Sequence, residues 1–475
     1  MRMQNKLARL LGVAAIALII STVASAQSLK LPAHEKIVLK NGLTVLLMEK
    51  HGVPMVSFAA IVKTGAAADP AGQDGLASAA AGLLRKGTKA RTAQQFAADL
   101  DFIGGTFDAE ASADFTSISA EFLTKDLARG LELFSDALLH PTYPQNEVDK
   151  LLAQSIDGEK GAKDDAQNVI LFYYYGYLYG ARPYGRPDGG DEDSLKHIQR
   201  DGIVKFYDTC YAPGNTLLAV AGDFNAAEMK KKLEEVLGAW PAKTVPAVAI
   251  PATASMKGKR LLLVDKPDAT QTYFAIGNVG TRITDPDRVA IRVVNTVFGG
   301  RYTSLLNEAL RVESGLTYGA QSFFDAKKEP GPFTMISFTK NETTTQAIDL
   351  ALKVLQDLHK NGVTPEQLTS AKSYIKGQFP PTIETSNQLA RRIVQYEFYG
   401  LDDSEVNQLE ARVDAVTPEI ARQVIQKHFP LDSLVFVLIG KASAIGPAVK
   451  KYAEKQDARP ISDPGFWPPP AGAQK

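Results

Sequence analysis

Cysteine is almost absent from this chain. Cys210 is the only one in 475 residues, so no disulfide can form within it and the fold must rest on core packing. Histidine is scarce as well. His34, His51, His140, His197, His359 and His428 are scattered, and no two have the close spacing that lets one helix or turn offer two imidazoles to a metal ion. Neither sign of charge dominates: 53 Lys and Arg stand against 53 Asp and Glu, which leaves no field to favour nucleic acid or an anionic lipid surface. Long apolar runs are missing after the first residues. At the start, Arg2, Lys6 and Arg9 precede an apolar stretch from Leu10 to Ile20, and Ala24-Ser25-Ala26 follows. The pattern is that of a signal peptide over residues 1–26, cut before Gln27, and the stretch is short for a membrane span. It implies export, to a bacterial periplasm or beyond, with no cysteine nearby to carry a lipid.

What is present is a globular composition, 45% hydrophobic and 22% charged, on a chain long enough for two or three domains. The chain also repeats itself. Asp69-Pro70 recurs as Asp285-Pro286, an offset of 216, and Phe115-Thr116-Ser117-Ile118-Ser119 recurs as Phe333-Thr334-Met335-Ile336-Ser337, an offset of 218. Alternating strands lead into helices predicted over 125–139 and 344–360, and further helices begin near Asn146 and Pro365. Each copy closes with a helix and a strand ending in glycine, at Gly222 and at Gly440. Thr417, Pro418 and Glu419 make a good helix start, whereas Arg200 makes a poor cap in the first copy. The order predicts an α+β fold: two homologous domains, each an antiparallel-rich sheet with helices on one face, facing across a cleft. The domains are placed at 30–240 and 257–455, with a Pro- and Ala-rich linker at 241–256 and an extended tail at 456–475.

Residues 75–88 read Gly-Leu-Ala-Ser-Ala-Ala-Ala-Gly-Leu-Leu-Arg-Lys-Gly-Thr. This stretch resembles the frame around the inverted H-x-x-E-H zinc motif of the M16 (pitrilysin-like) peptidases, and the resemblance extends over about residues 30–455. Ser78 and Gly82 stand where the two histidines would be, and Ala81 where the catalytic glutamate would be. A hydroxyl and a glycine cannot replace two imidazoles on zinc, and alanine cannot take a proton from metal-bound water. The family's third ligand is a later glutamate. Glu159 lies near that position in a weak local match, where a lone carboxylate reads as a solvated helix residue. The resemblance therefore implies no metal in this chain. Ser78 lacks a G-x-S-x-G context and Cys210 reads as structural.

The second copy is better preserved. Residues 299–320, GGRYTSLLNEALRVESGLTYGA, resemble the family segment that carries an Arg and a Tyr seven residues apart, with Val312 in place of a frequent Glu. By that resemblance Arg311 and Tyr318 would bind a peptide carbonyl and stabilise its tetrahedral form. Without the family frame, Arg311 would read as the helix partner of Glu308 and Tyr318 as the start of a strand. Gly299-Gly300 would permit a tight approach and is not a nucleotide loop. Split enzymes of this family place the zinc motif in one subunit and the Arg/Tyr pair in another. The resemblance thus implies a heterodimeric metallopeptidase. Its zinc would lie in a partner subunit with an intact H-x-x-E-H motif, and its substrates would be short or unfolded peptides. A non-enzymatic peptide-binding or scaffold protein is the alternative. Tyr173, Tyr174, Tyr175, Tyr177, Tyr179 and Tyr184 form an aromatic stretch suited to a substrate cavity, a subunit interface or ordinary core packing.

Overall fold

A computed structural model describes residues 30–466. The segment read as a signal peptide and the Pro-rich end of the tail lie outside the described residues. The first half runs β1 (Glu35–Val38), β2 (Thr44–Glu49), β3 (Met55–Val62), α1 (Leu76–Gly82), α2 (Ala93–Phe102), β4 (Thr106–Ala111), β5 (Thr116–Leu123), α3 (Leu127–Leu139), α4 (Gln145–Ala162), α5 (Ala166–Tyr179), α6 (Arg200–Cys210), β6 (Thr216–Gly222) and α7 (Ala226–Leu237). Its six strands lie in the order β1-β2-β6-β3-β5-β4, antiparallel except for β2 beside β6.

The second half repeats this plan with β7 (Arg260–Asp265), β8 (Gln271–Val279), α8 (Arg288–Phe298), β9 (Ala320–Phe324), β10 (Pro332–Lys340), α9 (Thr344–Asn361), α10 (Pro365–Gln378), α11 (Ser386–Tyr399), α12 (Pro418–His428), β11 (Val435–Gly440), α13 (Ala442–Val449) and β12 (Lys455–Pro460). The strand order is β12-β7-β11-β8-β10-β9. Strand β7 takes the place of β2, β11 that of β6, and β9 that of β4. The outermost strand differs: the first sheet ends on the hairpin strand β1, and the second on β12, which pairs parallel to β7. The first residues of the segment read as a tail are thus part of the sheet. Among the described residues no helix is long and apolar enough to cross a membrane.

Local chemistry explains several helix starts. Thr92, Thr364 and Thr385 each close a capping box with a glutamine three residues on, and Thr417 accepts from the Ile420 N–H with Pro418 behind it. Arg200 is not a cap. It is the first helical residue after Gln199, and its guanidinium donates to the carbonyls of Thr142 and Tyr143.

Each sheet is covered on both faces, not on one. Strands β6 and β11 are buried along their whole length, which fits near-continuous apolar runs. On the first sheet Val45, Leu47, Phe58 and Val220 face helices of their own half. Leu46, Met48, Ala59 and Ile61 join the core of the second half, where α11 packs on β3 and β6. The exchange is reciprocal. Helix α5 of the first half packs on β8 and β11, against Leu262, Val264, Ala275 and Val437 of the second sheet.

Candidate functional site

Helix α1, LASAAAG, starts after Gly75, whose φ of 96° requires glycine and whose Cβ, were there one, would lie 2.6 Å from the Gly189 carbonyl oxygen. The Asp69 carboxylate accepts from the Gly75 and Ala77 N–H groups, each at 2.9 Å. Burial pushes the Asp69 carboxyl up to about 7, against the pull of those two N–H groups and of Arg186. The Ser78 hydroxyl donates to the Asp188 carbonyl at 2.7 Å. Ala81 is buried, and Gly82 leaves room for a Cβ 3.4 Å from Leu151 Cδ1.

The position near the family's third ligand is less bland than its sequence. Glu159 on α4 is half-buried and its Oε2 is buried without a hydrogen-bond partner. Its carboxyl is raised above the usual range by burial and then by the negative charge of Asp191, with Lys163 opposing. One carboxylate is still no zinc site. Ala81 and Gly82 have no donor atoms, and Ser78 spends its proton on a carbonyl, so the residues of α1 do not fit a zinc ion. Elsewhere the fold brings His428 to Asp285 and Asp287, which sequence spacing could not reveal. There Asp287 also pairs with Lys427 at 2.7 Å, and Asp285 accepts from Thr281 and from the Asp287 N–H. These bonds satisfy the start of α8.

In the second half, Gly299 lies so close to β9 that a Cβ would collide with Ser322. The chain then enters a π-helical turn, Glu308–Glu313, in which Ser314 N–H donates to the Ala309 carbonyl at 3.2 Å. Such turns re-aim a side chain and recur at functional sites. Here the turn carries Arg311, whose guanidinium lies 4.9 Å from the centre of the Tyr302 ring and has no carboxylate partner among the described residues. It does not pair with Glu308. Tyr318 does not begin a strand, since β9 begins at Ala320. It sits on a short loop held by Gly315 at φ 63° and by Thr317, and is 78% exposed.

Arg311 opens on a groove of about 610 Å³ between α8, the π turn and β9, to which the first half contributes only Gln167. No residue of α1 lines it. The structure therefore does not join Arg311 and Tyr318 to Ser78, Ala81 and Gly82 in one pocket.

The two sheet edges differ in kind. At β9, Asp325 N–H bonds to Pro332, so Ala320 and Ser322 point their backbone groups outward. Ser322 N–H donates to the Gly299 carbonyl at 2.9 Å, Asn295 Nδ2 donates to the Ser322 carbonyl at 2.9 Å, and Ala320 N–H donates to Asn307 Oδ1 at 3.1 Å. At β4, the Ser112–Phe115 bond places Phe107, Ala109 and Ala111 outward, and among the described residues no strand covers that edge.

The tyrosines fill the seam between the halves. Tyr174 donates to the Phe333 carbonyl at 2.8 Å, Tyr177 to the Leu261 carbonyl and to Asp457, Tyr179 to the Pro330 carbonyl and Tyr173 to the Ile461 carbonyl. Tyr175 donates to Asp325 at 3.3 Å. Tyr184 donates to Asp114 at 2.6 Å and accepts from the Glu329 N–H. All but the half-buried Tyr175 are buried.

Comparison with known proteins agrees with this geometry. Residues 44–173 match the family profile described as insulinase (peptidase family M16), and residues 197–375 the profile described as peptidase M16 inactive domain. A Bacillus subtilis protein named uncharacterized zinc protease YmxG is 24% identical over 82% of this chain and 96% of its own. A Helicobacter pylori protein named non-peptidase homolog YmxG is 22% identical over 83% and 91%. The crystal structure of a peptidase M16 inactive domain from Pseudomonas fluorescens superposes with a TM-score of 0.81 at 24% identity, covering 86% of this chain and 98% of that one.

Proposed function

Since the chain belongs to the M16 peptidase family and carries Ser78, Ala81 and Gly82 at the zinc-motif positions, we propose that it is the non-zinc-binding subunit of a heterodimeric, exported peptidase. A partner subunit with an intact H-x-x-E-H motif would supply the zinc and the attacking water. This chain would supply the groove beside β9, Arg311 to hold a peptide carbonyl, and Tyr318 to donate a hydrogen bond as that oxygen gains charge.

The observation that carries the reading is the contrast between the two motif regions. On α1 the small side chains are packed away or bonded internally. Arg311 remains without a carboxylate partner, half-buried on the π turn over the Tyr302 ring, and Tyr318 is exposed on its loop. An arginine and a tyrosine kept free of internal ion pairs and hydrogen bonds are available to a ligand. The name of the Helicobacter pylori relative favours a second reading, a protein that binds peptides without cleaving them. Its discriminating feature is the outcome of mixing.

The test is peptide hydrolysis by this chain, by an M16 chain carrying the zinc motif, and by both together, with zinc measured in each. Activity in the mixture alone, with zinc only in the other chain, is the expected result. Within that mixture Arg311→Ala and Tyr318→Phe should each lower kcat/KM by about 100-fold. Unchanged rates for both would remove the assigned roles. No gain on mixing would leave the binding-protein reading.

A further inference from the structure

The groove holds a second arginine that the family motif does not account for. Arg301 donates through Nη1 to the Ser370 hydroxyl at 2.9 Å, and its guanidinium lies 5.8 Å from the centre of the Tyr374 ring. Its Nε is buried with no partner. Arg311 lines the same groove, over Tyr302. No Asp or Glu lines this space. Glu308 and Glu313, on the π turn itself, are exposed and form no ion pair with either arginine. Two guanidinium groups that face one groove without an internal counter-ion favour an anion there.

Part of the same lining is apolar. Tyr273 and Phe338 stack at 5.0 Å with their planes 18° apart, and Ile336 continues the shelf along β10. Strand β9 offers a peptide main chain little beyond the Ala320 carbonyl and the outward groups of Phe324. Gly299, Asn295 and Asn307 already occupy the outward groups of Ser322 and the Ala320 N–H. A peptide seated here finds Ser322 already bonded on both sides, so its side chains and its end group carry most of the recognition.

We propose that the groove takes the C-terminal carboxylate of a peptide at Arg301, in the positive field that Arg311 adds while it holds a peptide carbonyl, with an apolar side chain near that end on the Tyr273–Phe338 shelf. The inference rests on the reading above that this groove binds peptide, and it defines which peptides. They end in a free carboxylate next to a large apolar residue.

The test uses this chain alone and fluorescence anisotropy at low salt. The probes are fluorescein-Gly-Ala-Ala-Phe as the free acid, the same peptide as its C-terminal amide, and fluorescein-Gly-Ala-Glu-Phe as the amide. The free acid should bind about tenfold more tightly than the first amide, as charge-assisted bonds require. Arg301→Gln and Arg311→Gln should each reduce that ratio, and Phe338→Ala should weaken acid and amide alike. Thermal melts followed by circular dichroism establish that the variants are folded. Equal affinity for acid and amide overturns the proposal, as does a preference that survives both glutamine variants. If the Glu-containing amide binds as well as the free acid, the groove reads a carboxylate without reading the chain end, and the end-group assignment falls. Selective binding of the free acid, with no hydrolysis in any mixture, would refute the subunit reading and leave this inference standing. Hydrolysis in the mixture with no acid preference would do the reverse.

Discussion

Helix α1 lies beside strand β4, and helix α8 lies beside its counterpart β9. The same packing has been put to different uses. Helix α8 carries Asn295 and runs into Gly299-Gly300, so its side chain and the following loop can close over the outward groups of β9. Helix α1 ends in alanines and Gly82 and sends no hydrogen-bonding side chain to β4, where Phe107, Ala109 and Ala111 keep an uncovered edge. The first copy thus retains an open edge next to a helix without ligands. The second retains Arg311 and Tyr318 next to a closed edge. An edge closed at Ser322 leaves few main-chain groups for a substrate, so the second copy contributes chiefly side-chain donors.

The contrast is broken most directly in the strands. Ser322→Pro would remove the N–H bonded to Gly299 and the hydroxyl bonded to Asn295 Oδ1, leaving both acceptors unsatisfied, an expected loss of about 3 kcal/mol or more. At β4 the matching change, Ala109→Pro, removes an outward N–H that bonds to nothing and should cost about 1 kcal/mol or less. Urea unfolding of the two variants measures both. Equal losses would mean that the edges are not distinct.

A smaller effect distinguishes the two helix starts. Asp69 caps α1 from a buried position with its carboxyl raised to about 7. Its counterpart Asp285 is reached by Thr281 and Asp287 at the half-buried start of α8. An aspartate whose folded value exceeds its unfolded value near 4 binds more protons when folded. Its contribution therefore falls as pH rises from about 4 to about 7. Between pH 5 and 7.5 the chain should lose about 2 kcal/mol more than Asp69→Asn does, read from urea midpoints at the two pH values. A variant with the same pH slope as the parent would remove Asp69 as the cause.

The smallest effect is at the paired glycines. In Gly82→Ala the new Cβ meets only Leu151 Cδ1 at 3.4 Å, and a glycine in a helix costs about 0.5–1 kcal/mol relative to alanine, so the variant should gain about that much. The same change at Gly299 should destabilise, because its Cβ would strike Ser322. Thermal unfolding of the pair separates the copies again, and a stabilised Gly299→Ala would contradict the sealed edge.

The sequence by itself determined the repeat, the α+β class and about half of the helix starts, because these follow from local signals: apolar periodicity, threonine caps, and glycines after strands. It also determined that α1 cannot hold zinc, since the argument needs only the side chains at 78, 81 and 82. Tertiary structure alone decided the rest. The tyrosines of α5 carry no mark that sends them to the second sheet, and the exchange of α5 and α11 depends on apolar faces of strands about a hundred or more residues away in the chain. Glu159 reads as a solvated helix residue until its neighbours Asp191 and Lys163 are placed, and Arg301 joins Arg311 only when the π turn and β9 fold around one groove. Local propensity acts over a few residues. Which faces meet, which edges close and which charges remain unpaired are settled by contacts across the chain, and those are formed only in the folded molecule.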